Sequence, residues 1–299
     1  VSIRFGVSPI AWMNDDMPEL GADTSLEQVL AEARDIGFVG IELGGRFPRD
    51  AATLATLLAR FQLVLVGGWY SASLLTCSAR QEIAALQAHL GLLKALGCTV
   101  FIVAETSNAI HGNRNRALSA SPRLDRAGWA RFGEKLTQVA DHVAAADMRL
   151  AYHHHLGTVV ETGEDLERLL ESTGPSVGMT IDTGHAALGG VDAVALIRTH
   201  PQRVAHVHCK DIRGEIFHKL KAEGGSFLSG VVDGMFTVPG DGDIDFRKVL
   251  QALAEIGYCG WIIVEAEQDP SIADPRRYGE LGLTTLRREA AAAGLRTVE

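Results

Sequence analysis

Short apolar runs and amphipathic helical stretches alternate through the whole sequence, and few folds accommodate that rhythm. The runs are Arg4–Val7, Phe38–Leu43, Leu63–Val66, Thr99–Val103, a strand from about Arg149, Val177–Ile181, Val204–His208 and Trp261–Val264. Helical spacing lies between them. Thr24-Ser25-Leu26-Glu27 has capping-box spacing ahead of a helix that closes at Ile36-Gly37. Further helices are predicted over Ala51–Phe61, Ala79–Leu96, Gly128–Ala146, from Thr162 through Leu170, Val191–Thr199, Phe246–Ile256 and Leu283–Ala293. Eight strand–helix pairs in this length make an α/β chain of the (β/α)8 TIM-barrel class. Continuous apolar runs such as Leu63–Val66 suit parallel strands covered on both faces. The rival, a doubly wound sheet, asks for a glycine-rich phosphate turn after the first strand, and Ser8-Pro9-Ile10-Ala11-Trp12 is no such turn. No domain boundary interrupts the pattern, so residues 1–299 read as one catalytic domain. The longest interruption, Asp211–Asp243, reads as a long loop able to fold over a pocket.

Four of the apolar runs end in charged or imidazole side chains. They lead into His153-His154-His155, Asp182-Thr183-Gly184-His185, His206-Val207-His208 with Lys210-Asp211, and Glu265-Ala266-Glu267. In a barrel these ends face one pocket. Residues two apart share a side of a strand, which groups His153 with His155, His206 with His208 and Glu265 with Glu267. One ligand per strand gives His153, Asp182, His208 and Glu265, with His155 an alternative to His153. A mixed imidazole and carboxylate set suits Mn2+ or Co2+, and it does not select against Zn2+. His206 reads as a structural histidine or a partner of a ligand, and His154 as pointing away. Glu42, Glu105 and His185 also sit at strand ends, where they either meet a substrate or anchor loops. Lys210 either holds an oxyanion or is ion-paired. Trp12, Trp69 and Tyr70 either wall the pocket or belong to the core.

Composition narrows the partners. A net charge of −9 without a basic block argues against nucleic acid. The four cysteines are far apart, and Cys98, Cys209 and Cys259, in or beside apolar runs, read as small core residues. No signal segment or membrane-spanning run is visible, which makes the cytoplasm the default location. A helix face exposed in a monomer looks the same as one buried between subunits, so a homo-oligomer is left open.

The strand-end signatures Asp182-Thr183-Gly184-His185, His206-Val207-His208 with Lys210-Asp211, and Glu265 resemble those of the xylose-isomerase-like barrels. Within them, four stretches are similar to the inosose dehydratase family: Ser8–Asp15, Ala104–Ser107, Tyr152–Thr158 and Phe236–Asp245. The resemblance implies a divalent metal on four strand ends and a cyclic polyhydroxy ketone, 2-keto-myo-inositol, as substrate. Dehydration to a trihydroxycyclohexane-1,2-dione would need a base and an acid, with His155, His185, Glu42 and Glu105 as candidates. Lys210 would hold the oxygen that becomes negative. His153 stands where many members of the superfamily have Glu. Three rivals are an isomerase or epimerase of free sugars, an apurinic-type endonuclease, which the charge disfavours, and a binding module without chemistry.

Overall fold

The computed structural model describes residues 2–298. Eight parallel strands close into a barrel: β1 (Ser2–Val7), β2 (Gly40–Leu43), β3 (Val64–Ala72), β4 (Val100–Glu105), β5 (Arg149–His153), β6 (Val177–Asp182), β7 (Val204–Cys209) and β8 (Gly260–Val264). Each strand pairs with the next in sequence. β8 returns to β1, with Ile3 opposite Gly260 and Val7 opposite Val264. This is the (β/α)8 barrel that the alternation predicts. Arg296–Thr297 lies beside Ser2–Ile3, on the stretch of β1 that precedes its pairing with β2.

Strands β2, β4 and β6 are buried at every position, because helices cover one face and the barrel interior covers the other. Val66, Trp261 and Ile263 pack together inside the barrel, as do Val100, Ile102 and Ala151. The Trp261 indole dictates a small neighbour: a Cβ added at Gly40 would lie 2.6 Å from its ring. The Arg4 guanidinium stacks 4.2 Å from the centre of the same ring, towards the N-terminal ends of the strands. The larger core lies between strands and helices, where Phe5, Phe101, Leu150 and Ile181 meet helix residues such as Leu30, Leu54 and Leu136.

Several local expectations shift. The first helix, Leu26–Ile36, is capped by Ser25, whose hydroxyl accepts from the Gln28 N–H, one residue later than the Thr24 reading. Strand β3 continues through Gly67-Gly68 to Ala72, with a register shift against β2. The helix expected over Ala79–Leu96 breaks at Leu86 into Ala79–Ala85 and Gln87–Ala95. The last helix starts at Pro275, not Leu283. Asp274 caps it, and Pro275 occupies the first turn, where no backbone N–H is needed. A short helix, Thr183–Leu188, springs directly from β6.

The stretch 211–243 is more than a loop. It holds helices Gly214–Glu223 and Phe227–Val232 and a two-stranded antiparallel ribbon, Asp211–Ile212 with Phe236–Thr237. Phe217, Leu220, Phe227, Val231 and Phe236 form its own small core with Leu156 and Leu188 from the barrel. Asp211 anchors it, accepting backbone N–H groups of Ile212, Gly240, Gly242 and Ile244.

Candidate active site at the C-terminal strand ends

His153 and Asp182 end β5 and β6, His208 lies near the end of β7, and Glu265 follows β8 directly. Each offers a ligand atom, and the four atoms lie within 4.8 Å of one another. His153 Nε2 is 3.5 Å from Asp182 Oδ2, and His208 Nδ1 is 3.7 Å from the same oxygen. Asp182 divides its carboxylate between two tasks. Oδ1 caps the helix Thr183–Leu188 by accepting the His185 N–H at 2.8 Å. Oδ2 is buried and has no hydrogen-bond partner. Glu42 on β2 reaches across the barrel, and its Oε1 accepts from His206 Nε2 at 2.8 Å and His208 Nε2 at 3.0 Å. That bond puts the His208 proton on Nε2 and turns Nδ1 towards the cluster, the usual orientation of a ligand histidine by a carboxylate.

The residues fit a divalent ion. His208 Nδ1 and Glu265 Oε2 approach to 2.9 Å, yet Nδ1 makes no hydrogen bond. Their convergence is the arrangement that two ligands of one cation would share. Burial opposes ionisation of Glu42, Asp182 and Glu265, but the adjacent histidines and Lys210 outweigh it and hold all three carboxyls below their usual range, Glu42 at about 2. The carboxylates gathered here outnumber the Lys210 ammonium, an imbalance that a divalent ion would offset. His208 shows the same demand for positive charge. Burial lowers its pKa, yet Glu42 and Glu265 raise it well above the ordinary histidine value.

A second group of rings lies beside the cluster. The His155 ring is 3.9 Å from that of His185, and Trp69 meets His153 and His155 edge-on at 5.3 and 5.8 Å. His155 Nδ1 donates to the Leu156 carbonyl at 2.7 Å, because a carbonyl can only accept. The neutral ring therefore carries its lone pair on Nε2. Phe227 and Phe236 of the 211–243 segment pack on His155 and His185, and His111 lies 4.8 Å from the His155 ring.

The geometry reassigns several candidates. His185 is fully buried; its Nδ1 accepts the Leu156 N–H at 3.2 Å, which leaves the proton of the neutral ring on Nε2, 3.2 Å from Lys210 Nζ and 3.7 Å from Glu267 Oε1. Both nitrogens thus face protein groups. Lys210 directs its ammonium at Glu265 and Glu267, both at 2.7 Å, and lies 3.2 Å from His185 Nε2, which makes it an ion-paired group. Glu42 orients histidines. Glu105 faces the helices, where its Oε1 accepts from Ser107 N at 2.8 Å, and it anchors a loop. Trp12 donates to Glu32 at 2.7 Å, and Tyr70 to Glu82 at 2.6 Å, both in the outer core; only Trp69 of the three aromatics joins the site. Glu267 and His111 carried no role in the sequence reading. Its signal for Glu267 was the two-residue spacing from Glu265; none marked His111.

The sequence matches the xylose isomerase-like TIM barrel family over residues 30–297. It is 41% identical to an inosose dehydratase of Geobacillus thermodenitrificans, covering 92% of this chain and 93% of that one. An inosose dehydratase of Lacticaseibacillus casei is 39% identical, with 93% of each chain covered. The chain belongs to the inosose dehydratase family. It is also 45% identical to the rhizopine catabolism protein MocC of Rhizobium meliloti, over 99% of this chain and 91% of that one. Among solved structures, an L-ribulose 3-epimerase superposes with a TM-score of 0.68 at 17% identity, covering 98% of this chain and 96% of that one. A probable 3-DHS dehydratase of Bacillus anthracis gives 0.66 at 14%, covering 95% and 98%. At these identities the two structures share the barrel alone.

Two consequences concern supporting residues of this dehydratase-family site. Glu42→Gln keeps the shape but weakens the grip on His206 and His208. Metal affinity is expected to fall about 10–100-fold, measured by competition with a chromogenic chelator. Gly184 makes room for the Lys210 stem: a Cβ there would lie 2.8 Å from Lys210 Cγ. Gly184→Ala is expected to cost about 1–3 kcal/mol, read as a lower midpoint in denaturant.

Proposed function

We propose that the protein dehydrates 2-keto-myo-inositol, a cyclic polyhydroxy ketone, to a trihydroxycyclohexane-1,2-dione, with Mn2+ or Co2+ as its metal. What carries the reading is the convergence of His153, Asp182, His208 and Glu265 beside a histidine with a fixed tautomer, in a chain of this family. The four side chains would hold the ion, whose contribution is Lewis acidity towards the ketone, acidifying the adjacent C–H.

The chain's own groups supply the rest. The Leu156 carbonyl holds the His155 proton on Nδ1, so Nε2 is the base that takes the acidified proton. The neighbouring hydroxyl then leaves as water, and the enol left behind tautomerises to the dione. The proton count closes, because the proton His155 takes equals the one the departing hydroxyl requires. No carbon is oxidised overall, and no nicotinamide enters. Trp69 offers an aromatic wall for the C–H face of a cyclitol ring. Phe227 and Phe236 close the far side of the histidine pair and limit water. Among the described residues no helix is long and apolar enough to cross a membrane, and a cytoplasmic location accompanies this reading.

The test is an ultraviolet assay with 2-keto-myo-inositol on protein stripped with EDTA and reloaded with Mn2+ or Co2+. Metal-dependent growth of dione absorbance is expected. Folded, metal-loaded protein that leaves this ketone unchanged but interconverts free ketoses is instead an isomerase or epimerase. Because a rhizopine catabolism protein is 45% identical, ketones derived from rhizopine belong in the same panel.

A further inference from the structure

Beside the first cluster lies a second set of potential ligands. His155, His185 and Glu267 also offer atoms within 4.8 Å of one another. An ammonium is already built into this place. Lys210 Nζ lies 2.7 Å from Glu267 Oε1, 3.2 Å from His185 Nε2 and 2.7 Å from Glu265 Oε1. Glu265 is shared: its other oxygen, Oε2, faces His208 Nδ1 in the first cluster at 2.9 Å. A carboxylate that gives one oxygen to each of two positive centres is arranged as in a paired-metal site. Here one of the centres is a side chain.

The surroundings are shaped to the lysine. Its backbone is clamped by Thr183, whose hydroxyl donates to the Lys210 carbonyl at 2.7 Å and accepts the Lys210 N–H at 3.0 Å. Its stem passes over Gly184, where a side chain would collide with it. The Phe236 ring covers the ammonium at 4.6 Å. Lys210 is fully buried, and a buried cation this well paired leaves only at great cost.

We propose that the Lys210 ammonium takes the place of a second metal ion and keeps the centre mononuclear. Removing it would open His155, His185, Glu267 and the shared Glu265 to a second divalent ion of the same hard-to-borderline type. A fixed ammonium also supplies positive charge that no chelator removes, so Glu265 stays oriented when the exchangeable ion is absent. This rests on the reading of the first cluster as a metal centre.

The test is ion stoichiometry. Wild-type, Lys210→Ala, Lys210→Gln and Lys210→Arg proteins are stripped, titrated with Mn2+ or Co2+, and analysed by elemental analysis and Mn2+ electron paramagnetic resonance. Wild type and Lys210→Arg should bind one ion per chain. Lys210→Ala should bind two, with the spectrum of a coupled pair, and return to one when Glu267→Gln is added. Lys210→Gln, close in size and uncharged, gives the same reading should the alanine variant fail to fold. Two ions in the wild type, or one ion in folded Lys210→Ala or Lys210→Gln, overturns the inference while leaving the first metal centre intact. No ion in the wild type removes the metal reading itself.

Discussion

Asp182→Asn is expected to leave a folded protein that no longer retains its metal. The two oxygens of Asp182 do different work, which makes this substitution informative. Oδ1 caps the helix Thr183–Leu188, and an asparagine carbonyl can still accept that N–H. Oδ2 points into the cluster without a hydrogen-bond partner, and the amide that replaces it brings protons where a cation would lie. Removing one partner from a buried charge cluster costs about 3–5 kcal/mol, which puts the loss in metal affinity at about a thousandfold. Circular dichroism should be unchanged, while elemental analysis after dialysis shows an empty protein and turnover falls with it. Retention of both metal and activity by the variant would remove Asp182 from the ligand set.

His155→Gln should behave in the opposite way, keeping the metal and losing turnover. His155 is two residues past His153, with its ring 5.8 Å from that one, and it is not among the four side chains whose ligand atoms converge. Its proton is pinned by the Leu156 carbonyl, so its contribution is a lone pair at Nε2. General-base catalysis contributes about 10²–10⁴-fold, and kcat is expected to drop by that factor with ion stoichiometry unchanged and KM little altered. Loss of the metal together with activity would instead make His155 the ligand that β5 supplies.

Much of this site is legible in the sequence because charge at the end of a buried strand is expensive unless paired. His153, Asp182, His208 and Glu265 stand out for that reason, and the two-residue period brings each to the barrel's inner face. Glu105 misleads for a related reason. Strand β4 is buried at all six positions, so Phe101 and Val103 look no different from Ile102 and Ala104, and nothing in the pattern tells inside from outside. Tyr70 follows Trp69 on one strand and so faces the other way. The helices inside 211–243 are hidden because they are short and glycine-flanked, and because one is capped by Ser226 with Ser229, a weaker signal than a Glu or Gln at that position. Lys210 could not be assigned from its neighbours in sequence. Its partners, Glu265 and Glu267, come from a different strand end, more than fifty residues on.

The closing seam of the barrel gives the centre a mechanical meaning. β1 pairs with β8 at a sequence separation of 257, Ile3 to Gly260, a pairing whose loop closure is entropically costly. Glu265 is the first residue beyond that seam, and its backbone N–H still bonds to Cys209 on β7. An ion held jointly by Glu265 and by β5, β6 and β7 would clasp the closing strand to its neighbours. At a free concentration one hundred times its dissociation constant it adds about 2.7 kcal/mol to the native state. The seam joining the two most distant parts of the sequence is thus also the one that an ion in this cluster would fasten.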